Sequence, residues 1–191
     1  EKRSCFFSTG TETPYVLDHE TGERRSVRGD DINRAAIVAD ALENIDIVAS
    51  MGSVSPDEVP PHLSDQHNFA RMIANTTKPI LFSTWKLEGM QGIYELALTV
   101  RNNNPEELKS KPFLVQYAEP ISPLCHPESS LDKVIFCSRK GIPFTYASGT
   151  VMGGTVPVTA AGALALTNAE FLTGLVVSQL VSQGASILYG G

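Results

Sequence analysis

The stretch GGTVPVTAAGALALTNAEFLTGLVVSQLVSQGASILYGG, residues 153–191, decides how the chain is read. Its opening glycines mark a turn, where the backbone needs freedom that a side chain would deny it. A long apolar run of helical character follows, and the stretch closes on a short apolar segment, ASILYGG. That order is a strand-end loop, a buried crossover helix and the next parallel strand.

The same unit recurs upstream. Short apolar runs rich in β-branched and aromatic residues occupy 45–50 (IDIVAS), 79–85 (PILFSTW), 112–118 (PFLVQYA), 142–148 (IPFTYAS) and 185–189. Helical spacing follows them at 65–74, 90–100 and 130–140, and then in the long final run. The run starts lie roughly 30 to 45 residues apart, the length of a βα unit. None alternates strictly, as expected of strands buried on both faces of a parallel sheet. Alternating strand and helix patterns argue an α/β fold. The first strand is not followed by G-x-G-x-x-G, which disfavours a dinucleotide-binding doubly wound sheet. Part of a (β/α)8 barrel fits the units better.

Residues 1–28 read as a separate β-hairpin leading segment, with the first βα units of the barrel occupying 29–191. Cys5-Phe6-Phe7, Tyr15-Val16-Leu17 and a return strand over 24–27 are strand-like, and Gly22 sits where a turn wants positive φ. Asp30 is the expected N-cap of a helix striped by Ile32, Ala36, Ala39 and Leu42. The sequence begins without Met and ends on a strand with no covering helix, so it reads as a piece of a longer protein. Alone, such a piece is expected to be unstable, because its last strand has an open edge.

Composition narrows the function. Hydrophobic residues make up 42% and charged residues 19%, an ordinary globular balance. The net charge of −6 disfavours nucleic-acid backbones. The three cysteines, Cys5, Cys125 and Cys137, read as reduced thiols of a cytoplasmic protein. Cys125-His126 and Cys137 lack C-x-x-C spacing, so a metal site is not expected and Cys137 reads as a buried thiol. No secretory signal opens the chain. Polar residues from Thr167 to Gln179 interrupt the most apolar run, so no membrane span is expected.

In a barrel the working face is the carboxyl end of the strands. That rule selects Ser53 and Asp57, then Ser83, Thr84 and Trp85, then Gln116 and Glu119, then Ser148, Thr150 and Thr155, and finally Tyr189. No histidine is among them, which disfavours a hydrolase triad. Each candidate has a structural alternative. Asp57 can cap a turn, Trp85 can pack, and Glu119 can brace the loop bounded by Pro120 and Pro123. Glu170, alone on an apolar helix, reads as a structural brace that needs hydrogen bonds if buried. Gly153-Gly154-Thr155 can cradle an anion at the following helix N-terminus or serve close packing. His62 and His67 read as surface residues. Lys86 is the lone lysine beside a strand end, so a Schiff-base lyase or aldolase is an alternative enzyme.

Several pieces together resemble the trimethylamine methyltransferase family. They are VLDHETGERRSV before an acidic helix start, NTTKPILF, EPISPL and, most specifically, PVTAAGALALTNAE. The resemblance runs over nearly the whole chain. It implies a (β/α)8 barrel that moves a methyl group from a methylated or quaternary amine to a corrinoid carried by a partner protein. Some members use pyrrolysine, at a position after the strand that ends this sequence; others demethylate glycine betaine without it. No cofactor bound directly by the chain is implied, and self-association is left open. Aromatic faces and a carboxylate suit an ammonium ion. Trp85, Glu119 and Tyr189, with Asp57 and Thr155, are therefore the expected substrate-binding residues. A non-catalytic protein that captures a quaternary amine would use the same groups.

Overall fold

A computed structural model describes residues 5–10 and 12–189. The closing Gly190 and Gly191 of the final strand reading lie outside the described residues.

The hairpin forms where its turn chemistry places it. β1 (Tyr15–Leu17) pairs antiparallel with β2 (Arg24–Ser26), in register Val16 to Arg25. Asp18 Oδ1 accepts from the Glu20 and Thr21 amides, and Gly22 takes φ 73°. Arg25 donates to Asp18 at 2.8 Å and to Asp31 at 2.7 Å, fastening the hairpin to the first helix. These contacts hold both carboxyls below their ordinary values. Cys5–Phe7 is not a strand. Instead Ser8 makes a single parallel bridge to Ile47, and Thr9 Oγ1 accepts from the Ala49 amide at 2.8 Å. The segment thus lies along the outer edge of the first sheet strand.

α1 (Gly29–Ala41) is capped at Arg28, not at Asp30. Asp31, one turn in, accepts from the Arg28 amide at 2.9 Å, and the Glu58 carboxylate accepts from Gly29 at 3.0 Å. Asp30 is two residues too far into the helix to cap it.

Five parallel strands follow: β3 (Val48–Ala49), β4 (Ile80–Ser83), β5 (Leu114–Ala118), β6 (Phe144–Tyr146) and β7 (Ile187–Leu188). Their order in the sheet is their order in the chain. Between them run α2 (Ser64–Asn75), α3 (Leu87–Val100), α5 (Glu128–Lys140) and α6 (Ala160–Val181). A short α4 (Pro105–Ser110) and a 3-10 turn (Pro61–Leu63) were not expected from periodicity, because neither completes a repeat of apolar spacing. Every crossover steps the same way, and the right-handed rule then puts all the helices on one face. They do touch in succession: α1 on α2, α2 on α3, α3 on α5 and α5 on α6. The sheet is singly wound and, among the described residues, open at β3 and β7, so a closed barrel is not formed by this chain.

The two faces of the sheet differ. Ile80, Phe82, Leu114, Ala118 and Phe144 are buried toward the helices, with Phe69 of α2 edge-on to Phe82 at 5.2 Å. The alternate residues Leu81, Ser83, Val115 and Tyr117 point to the opposite, open face and are only half-buried. Burial on both faces was expected from the unbroken apolar runs; only the helix face is fully covered here.

The final helix also departs from expectation. It is continuous over Ala160–Val181, capped by Thr159 accepting from Gly162 at 3.3 Å. It is buried along one stripe, Ala163, Glu170, Phe171, Gly174 and Ser178, while Leu164, Val176 and Leu180 are exposed. With a mean hydropathy of 1.5 it is, by length and composition alone, long and apolar enough to cross a membrane. The interrupting polar residues do not break the helix; Glu170 and Ser178 face its packed side.

The NTTKP segment acquires a structural role. Asp40 Oδ1 accepts from Thr76 Oγ1 at 2.8 Å and from the Thr77 amide at 2.7 Å. Lys78 Nζ donates to the Ala39 and Leu42 carbonyls at 2.8 and 2.7 Å, satisfying the end of α1, where a cation is favoured. Lys78→Ala is expected to lower stability by about 1–2 kcal/mol, because charged hydrogen bonds at a helix end are lost. Lys78→Arg should recover most of it in a thermal melt.

Candidate functional site

The open face carries a polar row at the carboxyl ends of the strands. Ser83 pairs in register with Tyr117, and Tyr117 with Thr145, so the three side chains share that face. Tyr117 Oη donates to Glu119 Oε2 at 3.3 Å. Burial first, and then the adjacent Glu119 charge, push the Tyr117 phenol up to about 12, so it stays a donor at neutral pH. Glu119 itself is exposed, and a Cβ on Gly149 would lie 4.0 Å from its carboxylate. This loop glycine therefore borders the acid without crowding it.

Glu12 completes the row from outside the sheet. It precedes the hairpin, and its carboxylate accepts from Ser50 Oγ at 3.0 Å and Ser53 Oγ at 3.1 Å. Burial raises its pKa; contacts to Ser50, Ser53 and Ser83 oppose the rise, and the Asp65 charge adds to it.

Beside this row the loop after β3, the hairpin and the β4–α3 turn enclose a cleft of about 770 Å³. Tyr15, Ser53, His62, Asp65 and Trp85 are among its walls. Two neighbouring helices clamp the turn that carries Trp85. Asp65 of α2 accepts from the Trp85 amide at 3.2 Å, and Lys133 of α5 donates to the Thr84 carbonyl at 2.7 Å. Burial raises the Asp65 pKa and lowers that of Lys133, while each charge moderates the other. The Trp85 indole is 77% exposed on this rigid base.

The five expected substrate-binding residues fall in different settings. Trp85 walls the large cleft, and Glu119 stands on the open face with Tyr117. Asp57 is exposed, bonded to Ser55 within its own turn, and borders a smaller cleft with Glu58 and Arg25. Thr155 Oγ1 accepts from the Val151 amide at 3.0 Å and braces its own turn. Tyr189 stacks edge-on against Phe171 of α6, with ring centres 4.4 Å apart, on the helix side of the sheet.

Other expected sites resolve in turn. Gly153 takes φ 78° in a turn that ends before Thr159 caps α6, so Gly153-Gly154-Thr155 does not lie at the helix N-terminus and cannot present an anion to it. Cys137 is fully buried, and burial raises its thiol pKa far above the ordinary value. Cys125 is exposed. His67 is half-buried and accepts from Arg71 at 3.1 Å, unlike exposed His62, because α2 turns it toward α1. Among the described residues no group of three His, Cys, Asp or Glu side chains gathers as metal ligands do.

Glu170 is the brace that its position suggested. It is wholly buried and accepts from Ser122 Oγ at 2.8 Å and the Leu124 amide at 2.7 Å, pinning the loop that follows Glu119. Burial opposes its charge, but contacts to Ser148, Leu124 and Ser122 outweigh it, so its pKa is lowered. His126, which was not among the strand-end residues, stacks on Tyr146 and shares a 3.0 Å hydrogen bond with its hydroxyl.

Sequence reasoning missed Tyr117, Glu12 and the Asp65–Lys133 clamp. Tyr117 was findable, since it lies two residues before Glu119 and alternation puts both on one face. Glu12 had no local signal, because only tertiary folding brings it to Ser50 and Ser83.

Known proteins are similar to this sequence over most of its length. The chain is 29% identical over 189 residues to a trimethylamine methyltransferase of Desulfitobacterium hafniense (strain DSM 10664 / DCB-2), covering 99% of this chain and 37% of that protein. It is 27% identical over 185 residues to a glycine betaine methyltransferase of D. hafniense (strain Y51), covering 96% and 38% respectively. A trimethylamine methyltransferase of Methanosarcina barkeri (strain Fusaro / DSM 804) is 32% identical over 160 residues, covering 84% of this chain and 32% of that protein. The chain thus spans about a third of the length of these relatives. The sequence model of the family described as trimethylamine methyltransferase (MTTB) matches residues 1–191, and the chain belongs to that family.

Proposed function

We propose that the protein containing this chain is a methyltransferase that removes a methyl group from a methylated or quaternary amine and delivers it to the Co(I) corrinoid of a partner protein. The observation that carries this reading is the family match over all 191 residues, joined to a carboxylate and an aromatic ring at the strand ends. Glu119 and Tyr117 present a negative oxygen and a π-face on the open side of the sheet, and Trp85 offers a second face at its rim. An ammonium ion is attracted to both kinds of group. A cytoplasmic location and a (β/α)8 barrel completed by the rest of the protein belong to the same proposal.

The chemistry asks little of the protein beyond placement. In R–N⁺(CH₃)₃ the leaving group is already a neutral amine. The carbon–nitrogen bond breaks with its electron pair going to nitrogen, and the methyl carbon takes its new pair from Co(I). No proton has to move, so the transfer needs no acid–base pair. The chain's residues bind the cation, align its methyl carbon and exclude water. The corrinoid remains on the partner, which supplies the nucleophilic metal. Lys86 walls the cleft next to Trp85, but among the described residues no carboxylate or hydroxyl pairs with it, so the lyase reading gains no support from geometry.

The test uses the full-length protein with a Co(I) corrinoid protein and a panel of trimethylamine, glycine betaine, carnitine and proline betaine. The expected result is loss of the Co(I) visible spectrum with one amine, together with one equivalent of the demethylated product. Tight amine binding without any such change would instead establish a binding protein.

A further inference from the structure

We infer that Glu12 is the anionic anchor for the substrate's ammonium group, a role that rests on the amine reading above. The carboxylate reaches the open face from a segment that belongs to no strand or helix of the sheet. Ser50 and Ser53 hold it at 3.0 and 3.1 Å, both from the loop that follows β3. Ser83, also in contact with it, is the last residue of β4 and shares its face and level with Tyr117. From Glu12 through Ser83 and Tyr117 to Glu119, two acids thus bracket one polar row.

The partners of Glu12 set it apart from the acids that face cations. Asp18, Asp31 and Glu58 all face arginines. Asp40 accepts three hydrogen bonds near Lys78. Asp65 has Lys133 in its neighbourhood. Among the described residues the partners of Glu12 are neutral hydroxyls, and the charge it feels is the like charge of Asp65. Among the described residues no cation faces this half-buried carboxylate, and leaving it unpaired costs free energy. Glu170 also has neutral donors but is wholly buried behind its loop, whereas Glu12 is partly exposed at the open face. The missing positive charge is the one that an ammonium substrate supplies. Tyr117, level with Ser83, brings an aromatic ring to the same face, and serine donors keep the acid from turning away.

Calorimetric titration of the full-length protein with tetramethylammonium, and with tert-butanol as its neutral analogue, tests this directly. Glu12→Gln is expected to weaken tetramethylammonium binding about 10- to 100-fold, the cost of one charge-assisted contact. Binding of tert-butanol should change less than twofold. Without ligand the variant should melt no lower than the parent above the raised Glu12 pKa, because a folded carboxylate with a raised pKa loses stability as pH rises through that range. Loss of both ligands alike, a lowered melting temperature, or an unchanged preference for the cation would each overturn the inference. Should Glu12→Gln not fold, Ser83→Ala, which loosens the acid without removing its charge, must weaken the cation selectively by about threefold or the inference falls. Cation binding without methyl transfer would sink the proposed reaction and leave the role of Glu12 standing. Methyl transfer with charge selectivity untouched in Glu12→Gln would do the reverse.

Discussion

Glu170→Ala is expected to lower the stability of the full-length protein by about 3–5 kcal/mol. The carboxylate receives two short hydrogen bonds, from Ser122 and the Leu124 amide, in a site closed to water. Hydrogen bonds to a charged acceptor are worth about 1.5–3 kcal/mol each, and truncation strands both donors. Leu124 also sits at φ 55°, a left-handed conformation that costs a branched residue about 1–2 kcal/mol. With its amide released, the loop can relax out of that conformation, and Glu119 at its start loses its fixed approach. A fall in kcat/KM of about tenfold should accompany the loss of stability, since small misplacements of a binding group carry such penalties. The effect depends on pH with a definite sign. The folded-state pKa of Glu170 is lowered, so its stabilisation is fully present above the unfolded value and disappears as pH falls through the folded one. Parent and variant should therefore converge in denaturation midpoint at acid pH. A constant difference across pH would show that volume, not charge, carries the effect.

Gly174→Ala is expected to cost about 2–3 kcal/mol, the typical penalty of overpacking a closed core. A Cβ at position 174 would stand 2.6 Å from two ring carbons of Tyr146 and 2.7 Å from its Cβ. The ring cannot swing aside: Tyr146 is fully buried, stacked on His126 and hydrogen-bonded to it. Helix α6 would have to move off β6 instead. A cycle with Tyr146→Leu separates this clash from helix propensity, since alanine favours the helix by about 1 kcal/mol over glycine. The penalty of Gly174→Ala should shrink when the ring is gone. Strict additivity of the two substitutions would refute the close contact.

These two positions show where reading a sequence succeeds and where it stops. Glu170 stood out because one acid on an apolar helix must find donors, and it does. Gly174 gave no warning, since a glycine in a helix is legible only when the ring it faces is known. The five strands were legible for the same reason as Glu170: their apolar runs recur at the length of a βα unit. Their exact ends were not, and the strands are shorter than the runs because hydrogen-bonded pairing stops before apolar character does. α4 escaped because its six residues carry too few apolar positions to show a period.

The candidate site divides in the same way. Trp85 and Glu119 could be named because strand ends are where an α/β sheet presents chemistry, and both end up exposed there. Tyr189 and Thr155 satisfied the same positional rule, yet Tyr189 turns to Phe171 and Thr155 to its own turn, because side-chain direction depends on strand phase and local hydrogen bonding.

The sequence by itself determined the α/β class, the order of units, the family and the brace at Glu170. The class and the order of units rest on spacing, the brace on the cost of burying a charge, and the family on the resemblance of several motifs; all are local properties of the chain. The tertiary structure alone decided that the helices share one face, that Glu12 crosses to Ser50 and Ser53, and that Lys133 and Asp65 clamp the Trp85 turn. Those contacts join residues 20 to nearly 50 positions apart. No pattern along the chain encodes such pairings, because they form only when packing of the sheet and helices brings their ends together.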